Sequence, residues 1–299
     1  MNFSQLQSVV ALAETGSFTE AAFAIDLTQS AVSHALATLE RELGVTIFER
    51  NRKGVVTLTD IGKKILPHVR ELLAQAEAIE QECRAARGQS TGKVRVGNIE
   101  SIIAPGLLTS ILTRFQSQYP EIEIVLFEGS LHEVGEWIEN SVIDVGFVML
   151  PATGVNETFL STDELCILLP QSHPLSRRNA IAPHELQGEN FVLEKTQCTL
   201  NYVKKAGIEP NKVKLRYQAR DKATILAMVR ERLGITIMPR TLVPKKLDGV
   251  VMLPLNPPGM IKIGLATRSQ ETTSRSTRLF IQTAVDWVQE QVAKPAYVG

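Results

Sequence analysis

The sequence predicts an α/β protein of several domains, and three features of its apolar pattern support this fold class. Residues 1–59 contain apolar positions at helical spacing, followed by two short strand-like runs. Residues 60–87 keep one narrow apolar stripe, which is typical of a long helix. From residue 93 onward, strand-like and helical segments alternate, as they do in a parallel α/β sheet. We therefore expect a helical N-terminal domain with a hairpin, a linker helix and a larger α/β domain.

The segment that begins at Thr28 is predicted to be a helix with one apolar and one polar side. Its apolar residues recur at helical spacing: Ala31, Val32, Ala35, Leu36 and Leu39. Thr28 carries the hydroxyl of a good N-cap. The polar side has short hydrogen-bonding groups and no carboxylate: Gln29, Ser30, Ser33 and His34. Such side chains can bond to base edges, so we interpret Thr28 and this polar side as a reading face for the DNA major groove.

Two further helices are predicted before Thr28. Residues 2–14 form an amphipathic pattern that ends at Gly16. Ser17 and Glu20 have the spacing of a capping box and open a second, shorter helix. Two helices joined by a tight turn, with polar groups at the start of the second, indicate a helix-turn-helix motif. A small helical bundle with the same apolar faces is the alternative.

A basic hairpin is predicted after this motif. Two strand-like runs, 46–50 and 55–58, flank a short turn. Arg50, Arg52 and Lys53 are basic, and a wing of this kind can place them against backbone phosphate beside the groove. A solvated hairpin with incidental charges is the alternative.

Local charge favours DNA contact more than net charge does. The chain has 32 Lys and Arg against 32 Asp and Glu, and a net charge of zero by itself argues against a nucleic-acid protein. Residues 28–70, however, hold seven basic and four acidic side chains, whereas the charged side chains of residues 1–27 are all acidic. The positive charge therefore lies where a duplex would be met. Because it is modest, we expect specific contacts to matter more than bulk attraction.

A long helix over 60–87 is predicted to pair two copies of the chain. Its apolar residues are spaced by three and four positions, close to a heptad seam: Ile61, Ile65, Val69, Leu72, Ala76, Ile79, Cys83 and Ala86. A helix of this length spans ~40 Å, and two reading helices one DNA turn apart need ~34–36 Å. Packing of a single helix on its own domain is the alternative. Residues 88–92 are rich in Gly and Ser and are predicted to be a hinge.

Several classes of protein are not indicated. No apolar run approaches the ~18–20 residues needed to cross a membrane, and no N-terminal signal segment is evident. Three widely separated cysteines fit a reducing cytoplasm better than a disulfide framework. Zinc-ligand spacing, a phosphate-binding glycine loop and a nucleophile elbow are all missing from the sequence. We therefore expect a cytoplasmic protein that is not an enzyme and uses no metal or cofactor.

The N-terminal motifs resemble the DNA-binding half of the LysR-type transcriptional regulator family. The matching residues are ordered and ungapped: 16–22, 29–33, 39–45, 48–50 and 58–62. Two positions depart from the family pattern. Ser30 stands where the family usually has proline, and His34 stands where it usually has arginine, which replaces a permanent cation with a side chain that is mostly neutral at pH 7.

The resemblance implies a winged helix-turn-helix, a long coiled-coil linker helix, and a C-terminal two-lobed α/β domain similar to periplasmic binding proteins. We expect a DNA-binding domain at 1–59, a dimerisation helix at 60–87, a hinge at 88–92 and an effector-binding domain at 93–299. Lobe I would comprise about 93–163 plus 267–299, and lobe II about 164–266. Strands are predicted at 93–97, 122–127, 143–148, 165–169, 191–192, 213–217, 235–238 and 262–267, with helices at 102–118, 133–140, 199–206, 222–232 and 276–292.

Lobes of this type bind ligands at the carboxyl ends of their strands, in the crevice between them. By resemblance, the effector-contacting loops contain Asn98, Glu100, Ser101 and Ser130 in one lobe and Thr196, Cys198, Thr199 and Arg220 in the other. Amides near Ser101 suit an anion. Glu100 opposes one unless it pairs with Arg220, so a ligand with a donor or positive group is the alternative. Helix capping is the alternative role for Ser101 and Thr199.

The implied function is transcriptional regulation through DNA binding that a small-molecule effector modulates. The expected partners are double-stranded DNA with a pseudo-palindromic site, an unidentified effector, further copies of the chain forming a homodimer and homotetramer, and RNA polymerase, with no membrane. Two alternatives stay open: a small-molecule binding protein without a DNA role, and a redox-sensing regulator that acts through Cys198. For Cys198, packing as a small buried residue is the simpler alternative.

Overall fold

The computed structural model describes residues 1–50, 56–99, 105–269, 271 and 273–293, with only the backbone of Arg50, Pro105, Gln197, Val292 and Ala293. The helices are α1 (Phe3–Thr15), α2 (Phe18–Ala24), α3 (Gln29–Leu43), α4 (Asp60–Ala85), α5 (Pro105–Gln118), α6 (Leu131–Glu139), α7 (Gln197–Lys205), α8 (Lys222–Arg230) and α9 (Arg275–Ala293). The strands are β1 (Phe48–Arg50), β2 (Val56–Leu58), β3 (Gly92–Asn98), β4 (Ile122–Glu128), β5 (Val145–Leu150), β6 (Asn156–Pro170), β7 (Asn190–Glu194), β8 (Lys214–Ala219), β9 (Thr236–Pro239) and β10 (Val250–Thr267).

Local sequence signals set the ends of the first helices. Gly16 ends α1 in the left-handed region, at φ 65°, where glycine carries no side-chain strain. The Ser17 hydroxyl accepts a hydrogen bond from the Glu20 amide, but the return bond of the predicted capping box is not formed at that helix. A complete box lies at α1 instead, where Asn2 and Gln5 bond to each other's backbone amides.

The N-terminal domain has a single apolar core between α1, α2, α3 and the hairpin. From α3 it takes Val32, Leu36 and Leu39, as predicted. Ala31, which was assigned to the buried side, is exposed, because it lies in the first turn of a helix whose apolar stripe begins one residue later. The buried side of α3 is therefore narrower than predicted, and its first turn is open to solvent.

Helix α4 begins at a predicted cap and packs on this domain. The Thr59 hydroxyl accepts from the Gly62 amide at 3.0 Å. Val69 and Leu66 are buried in the N-terminal core, and Ile65 packs against it. Ile65 and Val69 of the predicted heptad seam are thus used inside the subunit, whereas Ile61 is 41% exposed. The later part remains open, and Leu72 and Ile79 are 48% and 66% exposed.

The opposite side of α4 contacts the larger domain through polar side chains. Glu71 pairs with Arg268 at 2.8 Å. The buried Gln81 side chain accepts a hydrogen bond from the Ser276 amide at 3.1 Å. Two further ion pairs, Glu77–Arg95 and Glu82–Arg278, lie along the same side. Helix α4 therefore contacts the two domains on different faces and leaves a third, apolar face exposed.

The larger domain is built on a mixed sheet rather than the purely parallel sheet that alternation predicted. Its strand order is β4-β3-β5-β10-β6-β9, with β3 parallel to β4 and β5, and β10 antiparallel to β5 and β6. Strands β7 and β8 form a separate parallel pair. Helix α9 returns to the first lobe, where Phe280 packs edge-on against Phe115 with ring centres 5.3 Å apart.

The two strands that connect the lobes are much longer than predicted. β6 has 15 residues and β10 has 18, whereas only 165–169 and 262–267 were expected. The first half of β6 is partly exposed and carries polar residues, whereas the short apolar run that opens β10 is interrupted by Pro254, Pro257 and Pro258, which weaken a strand signal. Among the described helices, none has the length and apolarity needed to span a bilayer.

Two helical glycines form a matched test of packing between α4 and the hairpin. A Cβ on Gly62 would lie 2.2 Å from the Ile47 carbonyl oxygen, whereas a Cβ on Gly135 meets nothing within 4 Å. We expect Gly62→Ala to destabilise the N-terminal domain by about 1–3 kcal/mol through overpacking. Gly135→Ala should instead stabilise its helix by about 0.5–1 kcal/mol. Thermal unfolding of both variants checks this, and an unchanged melting temperature in Gly62→Ala would contradict the packing.

Candidate functional site

The polar side of α3 is exposed at the surface of the N-terminal domain. Thr28, Gln29, Ser30 and His34 are exposed, and Ser33 is half-buried. Thr28 caps the helix, because its hydroxyl accepts from the Ala31 amide at 3.2 Å. The Ser30 hydroxyl lies 3.1 Å from the Thr28 hydroxyl, so the residue that replaces the family's usual proline is part of the cap. The predicted reading face is thus accessible to a duplex.

The hairpin is held against α3 by Glu40, a residue to which the sequence pattern assigned no role. The Glu40 carboxylate accepts hydrogen bonds from the amides of Ile47 and Phe48, at 2.6 and 3.2 Å. Ile47 and Phe48 are also buried in the core, which fixes the start of β1 relative to α3. No local motif marks Glu40, since its partners are seven and eight residues away. The predicted contacts Arg52 and Lys53 lie outside the described residues, as does the side chain of Arg50.

A cleft between the two lobes forms the second candidate site. Its volume is about 360 Å³, and its walls are formed by Ile99, Glu128, Gly129, Ser130, Leu131, Glu133, Glu194, Lys195, Thr196 and Arg220. Three predicted effector residues are in this wall: Ser130, Thr196 and Arg220. Asn98, Cys198 and Thr199 are instead buried and are not among the wall residues. Glu100 and Ser101 are outside the described part of the chain, so the predicted pairing of Glu100 with Arg220 stays a prediction.

On the first lobe, the cleft wall is organised by the start of α6. The Ser130 hydroxyl accepts from the Glu133 amide at 3.3 Å, and the Glu133 carboxylate accepts from the Ser130 amide at 2.8 Å. These hydrogen bonds hold the pKa of Glu133 below its usual value. Gly129 is in contact with the Trp137 ring, which a Cβ would approach to 2.6 Å. The indole therefore lies directly behind the cleft wall.

On the second lobe, the wall comes from the residues between β7 and α7. Glu194 ends β7, and the Thr196 hydroxyl lies 3.2 Å from the buried Thr199 hydroxyl. Thr199 is the third residue of α7, whose N-cap is Thr196, so it does not take the alternative role of helix cap. Glu194 and Lys195 were not predicted as ligand-binding residues, although both lie at a strand end, where such residues concentrate.

Cys198 is part of the interior rather than the cleft surface. It is fully buried, and burial, with a smaller contribution from the Glu194 charge, raises the pKa of its thiol to about 12. Burial likewise raises the pKa of Cys166 to about 11. Both thiols are therefore protonated at neutral pH, which disfavours a reactive thiolate at Cys198. Within the described ranges, no group of three or more His, Cys, Asp or Glu side chains could hold a metal ion.

The fold and these two sites define a class: a DNA-binding protein with a winged helix-turn-helix joined to a two-lobed ligand-binding domain. Comparison with known proteins gives the family. Residues 3–63 match the bacterial regulatory helix-turn-helix proteins of the lysR family, and residues 87–289 match the LysR substrate binding domain.

Individual relatives agree over the full chain. An uncharacterised HTH-type transcriptional regulator of Bacillus subtilis, YvbU, is 33% identical over 95% of this chain and 98% of its own. A probable hydrogen peroxide-inducible genes activator of Mycobacterium leprae is 30% identical over 91% of this chain and 90% of its own. The solved structure of a full-length OxyR variant from Pseudomonas aeruginosa superposes with a TM-score of 0.80, covering 95% and 94% at 23% identity. The chain belongs to the LysR family of transcriptional regulators and is a DNA-binding regulator with an effector-binding domain.

The burial of Cys198 makes a test by alkylation possible. A pKa near 12 leaves roughly a thousandfold less thiolate at pH 8 than the usual value near 9 would. We expect iodoacetamide at pH 8 to modify Cys198 at least a hundredfold more slowly in the folded protein than in guanidinium chloride. Gln7→Cys, at an exposed position of α1, is the folded control and should react fast. Equal rates at Cys198 and at this control, measured by mass spectrometry, would refute the interior placement.

Proposed function

We propose that the chain binds a pseudo-palindromic DNA site as a homodimer, that two dimers form a homotetramer, and that a small molecule in the interlobe cleft alters this binding. The exposed polar side of α3 carries the proposal. Gln29 and His34 project from the start of a helix whose first turn is free of carboxylates, and Glu40 keeps the hairpin beside the same helix. Side chains of this kind suit base edges, and a basic hairpin tip suits phosphate.

The dimer in this proposal uses the open face of α4. Ile61, Leu72 and Ile79 are exposed at helical positions on one side, at 41%, 48% and 66%. Burying such a stripe against a second copy is the usual solution for a long helix with a heptad pattern. The 26 residues of α4 span about 39 Å, which suits two reading helices ~34–36 Å apart.

Effector control in this proposal passes through the same helix. A ligand that binds one arrangement of the lobes better than another shifts the population toward that arrangement. The first lobe carries Arg268 and Ser276, which bind α4, so a change in lobe position reaches the helix directly. We keep the domain boundaries 1–59, 60–87, 88–92 and 93–299 as part of this proposal, together with a cytoplasmic location and RNA polymerase as a further partner.

Redox sensing through Cys198 is the second candidate. Similarity to a probable hydrogen peroxide-inducible genes activator favours it. The full burial and raised pKa of Cys198 weigh against it, and the other two cysteines lie on α4 and β6. We therefore place ligand binding in the cleft ahead of thiol oxidation.

The base-reading role can be tested with two matched glutamine variants. Gln29 lies on the reading face, and Gln7 is an exposed glutamine on α1. A lost contact to a base edge is worth ~1–3 kcal/mol, so Gln29→Ala should lower discrimination between the region upstream of its own gene and a scrambled duplex by about 5- to 100-fold. Gln7→Ala should leave it unchanged. Mobility shifts at fixed salt measure both, and equal discrimination in the two variants would count against the assigned face.

The proposed dimer can be tested with a carboxylate placed on either side of α4. Ile79→Asp puts a charge on the apolar face, whereas Lys63→Asp changes an exposed position about 160° away around the helix. We expect Ile79→Asp to sediment as a smaller species at micromolar concentration, because a buried unpaired carboxylate is strongly unfavourable. Lys63→Asp should keep the sedimentation coefficient, and so the oligomeric state, of the wild-type protein. An Ile79→Asp protein with an unchanged sedimentation coefficient would rule out this face as the dimer contact.

A further inference from the structure

The cleft between the lobes contains an unusual balance of charges for a site that would hold a simple anion. The described part of its walls carries three carboxylates, from Glu128, Glu133 and Glu194, and two cations, from Lys195 and Arg220. An anion entering this space would meet more negative than positive side chains. The number of charges alone therefore does not favour a ligand with only a carboxylate or phosphate.

One of the three carboxylates already has partners. Glu133 accepts from the Ser130 amide as part of the capping box of α6. The positive charge of Arg220 makes a smaller contribution to lowering the pKa of Glu133. The Glu133 carboxylate thus already has a hydrogen-bond donor in the protein, and we assign it to the helix start rather than to a ligand.

The other two carboxylates face the cavity without partners. Glu128 ends β4 in the first lobe, and Glu194 ends β7 in the second, so the two come from opposite walls. Among the residues that the structure describes, neither carboxylate makes a hydrogen bond or an ion pair. Two acceptors of this kind on facing walls are suited to hold one protonated amine between them.

A second, independent acceptor lies at the same edge of the sheet. Asn98 ends β3 and is the register partner of Glu128 on the neighbouring strand. Only 4% of Asn98 is exposed, and within the described ranges its side-chain oxygen has no hydrogen-bond donor. Buried side-chain oxygens are rarely left without a donor. This strand edge is therefore short of donors rather than acceptors.

The two cations of the cleft wall form a second cluster of the opposite charge. Lys195 and Arg220 are both exposed, and neither has an ion-pair partner in the described part of the chain. Their backbone segments adjoin, because the Lys195 amide donates to the Ala219 carbonyl at 2.9 Å. An ammonium and a guanidinium on adjoining segments form a suitable receptor for a carboxylate.

We propose that the cleft binds a small zwitterion, a molecule with one protonated amine and one carboxylate, which places its amine between Glu128 and Glu194 and its carboxylate toward Lys195 and Arg220. This inference rests on the proposed function, in which the cleft is the effector site. A simple anion would leave the two carboxylates unpaired, and a simple amine would leave the two cations unpaired. A zwitterion matches both sets.

The test compares three classes of probe on the full-length protein. The zwitterions are the twenty protein amino acids and the ω-amino acids of three to six carbons, each with its carboxylate-only and amine-only analogues. Melting temperature identifies binders, and titration with Trp137 fluorescence as the signal measures affinity, because that indole lies behind Gly129 in the cleft wall. We expect at least one zwitterion to bind at least tenfold more tightly than either of its analogues.

Variants of the cleft assign the two contacts. Glu194→Gln should weaken the best zwitterion at least tenfold and remove most of its advantage over the carboxylate-only analogue. Arg220→Gln should weaken the zwitterion and the carboxylate-only analogue alike. Glu121→Gln is the matched control, since Glu121 is exposed at the far end of β4 and should leave affinity unchanged.

The results separate failure of the ligand class from failure of the site. The proposed ligand class is wrong if an analogue binds as tightly as every zwitterion, or if no zwitterion of the panel binds. If an analogue of either class binds and loses affinity in Arg220→Gln or Glu194→Gln, the cleft remains the ligand site and only its ligand class is wrong. Binding that survives both variants would overturn the cleft itself.

Discussion

The structure depends on one helix that is constrained on two sides and open on a third. Leu66 and Val69 of α4 are buried in the N-terminal core, while Gln81 binds the amide of Ser276 in the larger domain. Because the helix is continuous over 26 residues, neither domain can rotate far without moving it. Its open side carries Ile79. In the proposed dimer, a second copy contacts this side, so a movement of the helix would also move the second copy. In the proposed dimer, the DNA-binding domain, the ligand-binding domain and the partner subunit are thus joined through one helix.

The two attachments of α4 differ in chemistry. The contact with the N-terminal domain is apolar and closely packed, since a Cβ on Gly62 would lie only 2.2 Å from the Ile47 carbonyl oxygen. The join to the larger domain consists of partly exposed ion pairs, such as Glu71–Arg268, which are worth about 0–1 kcal/mol each, plus the buried bond of Gln81. Helix α4 should therefore be attached more rigidly to the N-terminal domain than to the larger domain. The weaker join is the one that a ligand can change with a small free-energy difference.

Sequence predicted the features that local spacing determines and missed those that depend on distant contacts. Thr28, Thr59 and Gly16 mark helix ends through their own chemistry, so these ends could be read directly. Glu40 holds the hairpin through residues beyond the end of its helix, and no pattern marks it. The first half of β6 alternates with exposed residues, so it lacks the apolar run by which its second half was recognised.

The cleft shows the same limit. Ser130 and Thr196 were found on loops that the family resemblance assigned, and Arg220 as a possible partner of Glu100. Glu194 was missed because a single glutamate at a strand end resembles any solvated charge until the opposite wall is known. Cys198 and Thr199 were predicted at the cleft surface but are buried beneath it, because the sequence of a helix start does not show which of its residues point into the protein. Burial on a short helix is decided by the neighbouring sheet.

Hydroxyl-radical footprinting of the full-length protein on the region upstream of its own gene tests the central claim most directly. The claim is that two α3 helices, set apart by paired α4 helices, meet one duplex. It predicts protected patches in symmetric pairs whose centres lie about 10–10.5 base pairs, or a whole multiple of that spacing, apart on one face of the DNA. A single unpaired patch, or patches on opposite faces of the duplex, would contradict it.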